Sequence, residues 1–227
     1  MSTSSTAAPV RRALLVHAHP EPGSFSSAQA DAVAEQLRAD GIEVRRIDLY
    51  ADGWDPVLHR DQFASADGYF KPQAEQSAAV AAGTLGDPVR SHLDALREAD
   101  LLVLSFPLWW FSMPAILKGW VDRVFVMGAA FGGEHGVFAE GGLRGRRAVL
   151  LLTTGGGEPA FAPGAVDGYG ELDVFLSHIH RGMLEFVGYE VLPPVVTYAP
   201  ARLDAAERAE ALRSARARIA DPSMLIE

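Results

Sequence analysis

Three stretches of this chain carry groups that could hold a ligand. The longest is Ser105-Phe106-Pro107-Leu108-Trp109-Trp110-Phe111-Ser112-Met113-Pro114, which runs on into Ala115-Ile116-Leu117-Lys118-Gly119-Trp120. Its adjacent aromatics Trp109, Trp110 and Phe111 either pack an unusual loop into a core or grip a flat, apolar ring. Pro107 and Pro114 bracket them, and proline suits a loop that stops one element and opens a helix. The second stretch is His17-Ala18-His19-Pro20-Glu21-Pro22-Gly23-Ser24-Phe25-Ser26. Two prolines and a glycine fix it as a loop, and Ser24 or Ser26 can cap the helix that follows. Backbone N–H groups at such a helix start suit a phosphate. His19 could add a hydrogen bond, whereas His17 ends an apolar run and reads as structural. The third stretch, Thr153-Thr154-Gly155-Gly156-Gly157, has glycines that let a ligand approach the backbone closely.

Other chemistries find no residues. With no cysteine in 227 residues, disulfides, thiolate catalysis and Cys-ligated zinc are excluded. The sequence has no His-Glu-x-x-His, no Ser-His-Asp signature, no Gly-x-Gly-x-x-Gly and no P-loop. His178 and His180 stand two apart on an expected helix, so they share no face and read as structural or exposed, and no metal cluster is evident. A formal charge of −9 and a pI near 5.2 argue against a nucleic-acid binder and against a polybasic membrane anchor. No apolar run reaches the roughly 20 residues of a membrane helix, and residues 1–9 lack the apolar region of a signal peptide, so the cytoplasm is the expected location. A planar redox cofactor that brings its own chemistry is the economical reading of what remains.

The elements that must position these stretches follow from apolar patterning. Ala13-Leu14-Leu15-Val16 reads as a first buried strand. The next helix shows one apolar face, Ala30, Val33, Ala34 and Leu37, with Gly41 as its stop. Ile42, Val44 and Ile47 suggest a second, parallel strand. Residues 51–87 read as irregular, functional or with short helices of their own. A helix over residues 88–100 leads into a third strand, Leu101-Leu102-Val103-Leu104. Pro114 opens another helix. Residues 128–145 are a glycine-rich loop that could cover a ligand. A fourth strand occupies residues 148–152. A helix then carries Leu172, Phe175, Leu176, Ile179, Met183 and Phe186 and ends at Gly188. A fifth strand is expected around residues 195–198, and Asp204 with Glu207 resembles a capping box for the last helix. The implied fold is α/β and flavodoxin-like: a five-stranded parallel sheet in the order 2-1-3-4-5 with helices on both faces. Residues 1–10 are expected as a disordered tail, 11–220 as a single domain and 221–227 as a C-terminal tail. In that order strands 1, 3 and 4 are neighbours, so the three stretches converge on one sheet edge.

Taken together, the His17-Ala18-His19-Pro20 stretch, Pro107-Leu108-Trp109-Trp110-Phe111, Pro114-Ala115-Ile116-Leu117-Lys118-Gly119-Trp120 and Thr153-Thr154-Gly155-Gly156 resemble the NAD(P)H:quinone oxidoreductase family of DT-diaphorase type. The resemblance runs from about residue 13 to residue 219. It implies a homodimer with FAD at its interface, FMN being the alternative flavin. It implies two-electron reduction of quinones or similar flat acceptors by NAD(P)H in a ping-pong order. His19, Ser24, Phe25 and Ser26 would lie near the flavin phosphate and ribityl chain; the family commonly has Asn where Ser26 stands. Pro107, Leu108, Trp109, Trp110 and Phe111 would line the isoalloxazine ring. Thr153, Thr154, Gly155 and Gly156 would meet its N1/O2 edge. Lys71 falls near a glutamine that touches the adenine half. Phe131 and Gly133 stand in the loop that supplies two tyrosines over the nicotinamide and quinone site. Phe161 and Asp167 occupy the positions of a catalytic Tyr and His. Phe161 has no hydroxyl there, and an ionised Asp167 would oppose negative charge. Other activities consistent with the resemblance are a flavin-binding regulatory subunit of a potassium-efflux transporter and a nitro- or azo-compound reductase.

Overall fold

Leucine- and valine-rich runs without alternation are satisfied only where a sheet is covered on both faces. In the computed structural model, which describes residues 9–63, 68–221 and 224, this is where they lie. The strands are β1 (Arg12–His17), β2 (Glu43–Asp48), β3 (Leu101–Pro107), β4 (Arg147–Thr154), β5 (Glu190–Val191) and β6 (Val195–Tyr198). β3 and β4 are buried along their whole length, while β2, at an edge, alternates. All pairings are parallel, and β2, β1, β3 and β4 are neighbours in that order. The free side of β4 is shared. β5 pairs with Arg147 and Ala148, and β6 pairs with residues 151–154. The expected fifth strand is thus two short pieces, with β6 in its place at the site end. Pro193 and Pro194 lie between them and have no N–H to give the ladder.

Six α-helices are present among the described residues: α1 (Phe25–Ala39), α2 (Pro72–Ala82), α3 (Val89–Glu98), α4 (Ala115–Val124), α5 (Leu172–Ile179) and α6 (Ala205–Ile219). Successive side chains of a strand point to opposite faces, which divides the core in two. Leu15, Val103 and Leu151 pack with Val33 and Leu37 of α1 and with Ala215 and Ile219 of α6. Leu14, Val16, Leu104 and Leu150 pack with Leu96 of α3, Leu117 and Trp120 of α4 and Leu176 of α5. Val10 and Met224 also join the first of these cores. The rest of the expected tails, apart from Pro9 and Asp221, falls outside the described residues.

The expected stops and caps are present. The Ser24 hydroxyl accepts from the Ser27 N–H at 3.1 Å, which makes Ser24 rather than Ser26 the cap of α1. Asp204 and Glu207 exchange two bonds of 2.8 Å as a capping box. α5 continues through a π turn over His180–Leu184 and the chain leaves at Gly188, φ 105°. The segment 51–87, expected as irregular, contains α2, with Pro72 in its first turn and Gly83 left-handed at its end.

Candidate functional site

Because β1, β3 and β4 are adjacent and parallel, their carboxyl ends leave the sheet side by side. His17 pairs with Ser105, and Pro107 with Thr153. Hydrogen bonds then tie the three loops together. The Ala18 N–H donates to the Ser105 carbonyl at 2.9 Å, and the Leu108 N–H to the Thr153 carbonyl at 2.8 Å. The Ser26 and Thr153 hydroxyls meet at 2.6 Å across 127 residues of sequence, both buried. Between the loops lies a pocket of 370 Å³ lined by Pro107, Leu108, Trp109, Trp110, Thr153, Thr154 and Gly155.

The aromatic stretch forms a tight turn. The Ser112 N–H donates to the Trp109 carbonyl at 3.0 Å. The two central residues, Trp110 (φ 50°) and Phe111 (φ 57°), are both left-handed. This is the I′ form that glycine and asparagine normally fill. A bulky residue there costs about 1 kcal/mol or more. Packing outside the turn holds it: Phe111 stacks on Phe175 of α5, ring centroids 4.4 Å apart, and meets Phe161 and Tyr169 edge-on. The Ser112 hydroxyl lies 2.9 Å from His178 Nε2, which gives His178 a fixed partner. The Trp109 ring is 6.0 Å from that of His19. No described backbone carbonyl accepts from the N–H groups of Trp110, Phe111, Gly155 or Gly156. A β-carbon added to Gly155 would meet nothing within 4 Å. The turns therefore offer donors, two indoles and open space at one place.

Beneath the pocket, His17 is sealed between Ser105 (Nδ1 to Oγ, 3.0 Å) and Ser27 (Nε2 to Oγ, 3.1 Å). Burial first, and the Arg46 charge second, pull its pKa down from 6.5 to about 4. The fold keeps it neutral, so stability is complete above pH 6.5 and falls as the unfolded chain alone takes up the proton down to about pH 4. Over that window the loss is about 3 kcal/mol. Urea midpoints measured from pH 7 downward are expected to fall less steeply in His17→Asn than in wild type; parallel curves would contradict this. Ser26→Ala leaves the buried Thr153 hydroxyl without its partner and is expected to cost about 1 kcal/mol in the same measurement.

The remaining expected site residues separate. Phe25 is half-buried at the start of α1. Phe161 is buried, and Asp167 is exposed with a left-handed backbone, φ 56°. Lys71 and Phe131 share a groove of 1260 Å³ with Val121, Phe125, Met183 and Phe186. That groove and the 370 Å³ pocket have no lining residue in common. Gly133 is exposed beside Phe131, at φ 65°. The glycine-rich loop over residues 128–145 is anchored at its C-terminal end. Gly142 N–H donates to Ala130 O, and Leu143 N–H to Val187 O, each at 2.9 Å. Gly141 lies so close to Val187 that a β-carbon there would stand 2.3 Å from its carbonyl. Tyr169 was not anticipated. Its only sequence signal is a tyrosine two residues past Asp167; its place depends on the loop closing, with Tyr169 N–H donating to Ala160 O at 2.7 Å.

This doubly wound sheet, with a pocket at the carboxyl ends of β1, β3 and β4, belongs to the flavodoxin-like fold family, whose match covers residues 11–221. The chain is 38% identical over 194 residues to NAD(P)H dehydrogenase (quinone) 1 of Cavia porcellus, covering 84% of this chain and 70% of that one. It is 35% identical to the ribosyldihydronicotinamide dehydrogenase (quinone) of Homo sapiens, covering 84% and 82% of the two chains. The crystal structure of a candidate quinone reductase from Klebsiella pneumoniae matches with a TM-score of 0.87 and 36% identity, over 96% of this chain and 86% of that one.

Proposed function

We propose that the protein is an FAD-dependent NAD(P)H:quinone oxidoreductase, one flavin-binding domain over residues 11–220, acting in the cytoplasm as a homodimer with the flavin at its interface. The observation that carries this reading is the 370 Å³ pocket where three turns meet, walled by Trp109 and Trp110 and floored by Thr153, Thr154 and Gly155. The residues present fit a flavin. The N–H groups of residues 110, 111, 155 and 156, which have no hydrogen-bond acceptor among the described residues, match the polar edges of a tricyclic ring. The open side of Gly155 lets that ring approach the backbone.

A bound FAD would supply hydride chemistry between NAD(P)H and a flat acceptor. This chain's residues bind and orient. Pro107 and Leu108 hold the ring's inner side, and Trp109 and Trp110 cover it from water. His19 Nδ1 lies 3.0 Å from the Glu21 nitrogen and 3.1 Å from the Glu21 carbonyl oxygen, which fixes the ring and leaves its Nε2 edge for the phosphate end. Ser24, Phe25 and Ser26 stand at the start of α1, whose N-terminus favours an anion. The groove holding Lys71, Phe131 and Phe186 suits the adenine half and a second copy of the chain, with Phe131 and Gly133 turned to the partner's acceptor site. A tryptophan 95% exposed, as Trp110 is, also calls for cover by ligand or partner.

The test is a visible spectrum of the purified protein and chromatography of the flavin released from it, with NAD(P)H oxidation followed in the presence of menadione. Bound FAD and acceptor-dependent oxidation are expected. Protein that takes up neither FAD nor FMN would overturn the reading, and FMN alone in the released fraction would correct the cofactor. Light scattering at working concentration is expected to give twice the 24.3 kDa chain mass.

A further inference from the structure

Phe161 brings a bare ring to the turn after β4, and Asp167 brings an exposed carboxylate. Neither a phenyl ring nor a carboxylate has a hydrogen-bond donor. Tyr169 has one. Its ring lies against Phe161 at a centroid distance of 5.4 Å and against Phe111 at 5.5 Å, edge-on to both. It also lies over Gly156: a β-carbon on that glycine would stand 2.4 Å from Tyr169 Cε2. The ring therefore occupies space that only glycine at position 156 leaves open. It is held there by the backbone bond to Ala160 and by Gly168, where a β-carbon would meet Ala165 at 2.5 Å. The side chain is half in solvent, 49% exposed, beside the pocket that ends at Gly155. Among the described residues, none hydrogen-bonds its hydroxyl. A positioned ring with an uncommitted donor at the edge of a binding pocket is an arrangement that serves a ligand.

We propose that Tyr169 donates a hydrogen bond from its hydroxyl to the pyrimidine edge of the bound flavin, supplying the donor that Phe161 lacks. This rests on the flavin reading above. The bond disperses the negative charge that the ring system gains with an electron pair; the hydroxyl keeps its proton, and no covalent bond forms or breaks at Tyr169. The other tyrosine beside Phe161, Tyr198, is 5.8 Å from it by ring centroids, whereas the Thr154 hydroxyl is already committed to the Gly156 carbonyl and that of Thr153 to Ser26. Tyr198 opens instead into a cleft with Glu158, Asp173 and Arg218 that shares no residue with the flavin pocket, so it serves as the control.

The experiment is a redox titration of the bound flavin in wild type, Tyr169→Phe, Tyr198→Phe and the double variant Phe161→Tyr/Tyr169→Phe, each reconstituted with excess FAD. Phenylalanine keeps the ring that packs on Phe111, Phe161 and Gly156, so the fold is preserved. Tyr169→Phe is expected to shift the reduction equilibrium about tenfold toward the oxidised form, ~30 mV for a two-electron couple. Tyr198→Phe is expected to match wild type, and the double variant to return toward it. An unchanged potential in Tyr169→Phe, an equal shift in Tyr198→Phe, or a double variant that stays at the Tyr169→Phe value would each overturn the assignment. A wild type that binds no flavin would overturn the parent reading and this one with it, whereas flavin-loaded wild type with an unmoved Tyr169→Phe sinks only the role of Tyr169.

Discussion

Gly119→Ala is expected to lower the melting temperature by about 10 °C, although it replaces the poorest ordinary helix former with the best. Helix propensity alone would favour alanine inside α4 by about 1 kcal/mol. The sign is decided by what the new methyl group meets. It would stand 2.1 Å from the Pro56 carbonyl oxygen and 2.6 Å from the Pro56 Cα. Those are backbone atoms, so no rotamer change can move them. The segment that carries them is also pinned. Trp54 is buried, with the Arg123 guanidinium 4.6 Å from its ring centroid, and Arg123 binds both the Asp55 carboxylate, at 3.4 Å, and the Asp55 carbonyl. Yielding by the distance needed would break part of that clamp, at a cost of about 3 kcal/mol or more. Gly86→Ala is the matched control, since its added carbon meets nothing within 4 Å and its φ is not positive; it should change stability by no more than about 0.5 kcal/mol. Thermal unfolding followed by circular dichroism compares the two. Equal melting temperatures would mean that the approach of Pro56 to α4 is not close in solution.

This contact shows why parts of the molecule were legible in the sequence and others were not. β1, β3 and β4 could be read because burial on both faces demands an unbroken apolar run, and Leu14, Val103 and Leu150 supply it. The caps at Ser24 and Asp204 could be read because a cap is a local bond between residues three apart. α2 was harder. Its sequence is alanine and glutamine with little apolar stripe, and only Gln76 and Ala79 are buried, so periodicity gave no signal; Pro72 and Gly83 marked its ends without proving what lay between. The break at Pro193 and Pro194 was visible, but not that both flanking pieces would return to the same strand. For the site, convergence of three turns follows from strand order alone. The left-handed pair at Trp110 and Phe111 does not, because no propensity favours tryptophan and phenylalanine there; only Phe175, Phe161 and Tyr169 packed around Phe111 make it tolerable. The place of Tyr169 depends likewise on a loop closing over itself, which composition cannot reveal.

Trp110→Ala is expected to release the flavin while leaving the fold intact, and to do so more than Trp109→Ala. The two indoles are adjacent in sequence and line the same pocket, but they differ in what they have left to bury. Trp109 is 42% exposed and already spends part of its surface on His19. Trp110 is 95% exposed, and its ring meets no other ring among the described residues. Removing the Trp110 ring therefore subtracts almost nothing from the folded chain, and the apoprotein should melt within a degree or two of wild type. Any apolar surface Trp110 contributes is gained on binding. Covering a side chain of that size is worth about 2 kcal/mol, a loss of some thirtyfold in flavin affinity when the ring is removed. Trp109→Ala should weaken binding by less and cost a few tenths of a kcal/mol of stability through the lost contact with His19. Flavin retained after gel filtration, set beside the melting temperature of each apoprotein, separates the two effects. Equal retention in both variants would place the ring differently against the turn. A Trp110→Ala apoprotein that melts early would mean that the indole packs against its own chain in solution, and that its exposure is not reserved for a ligand.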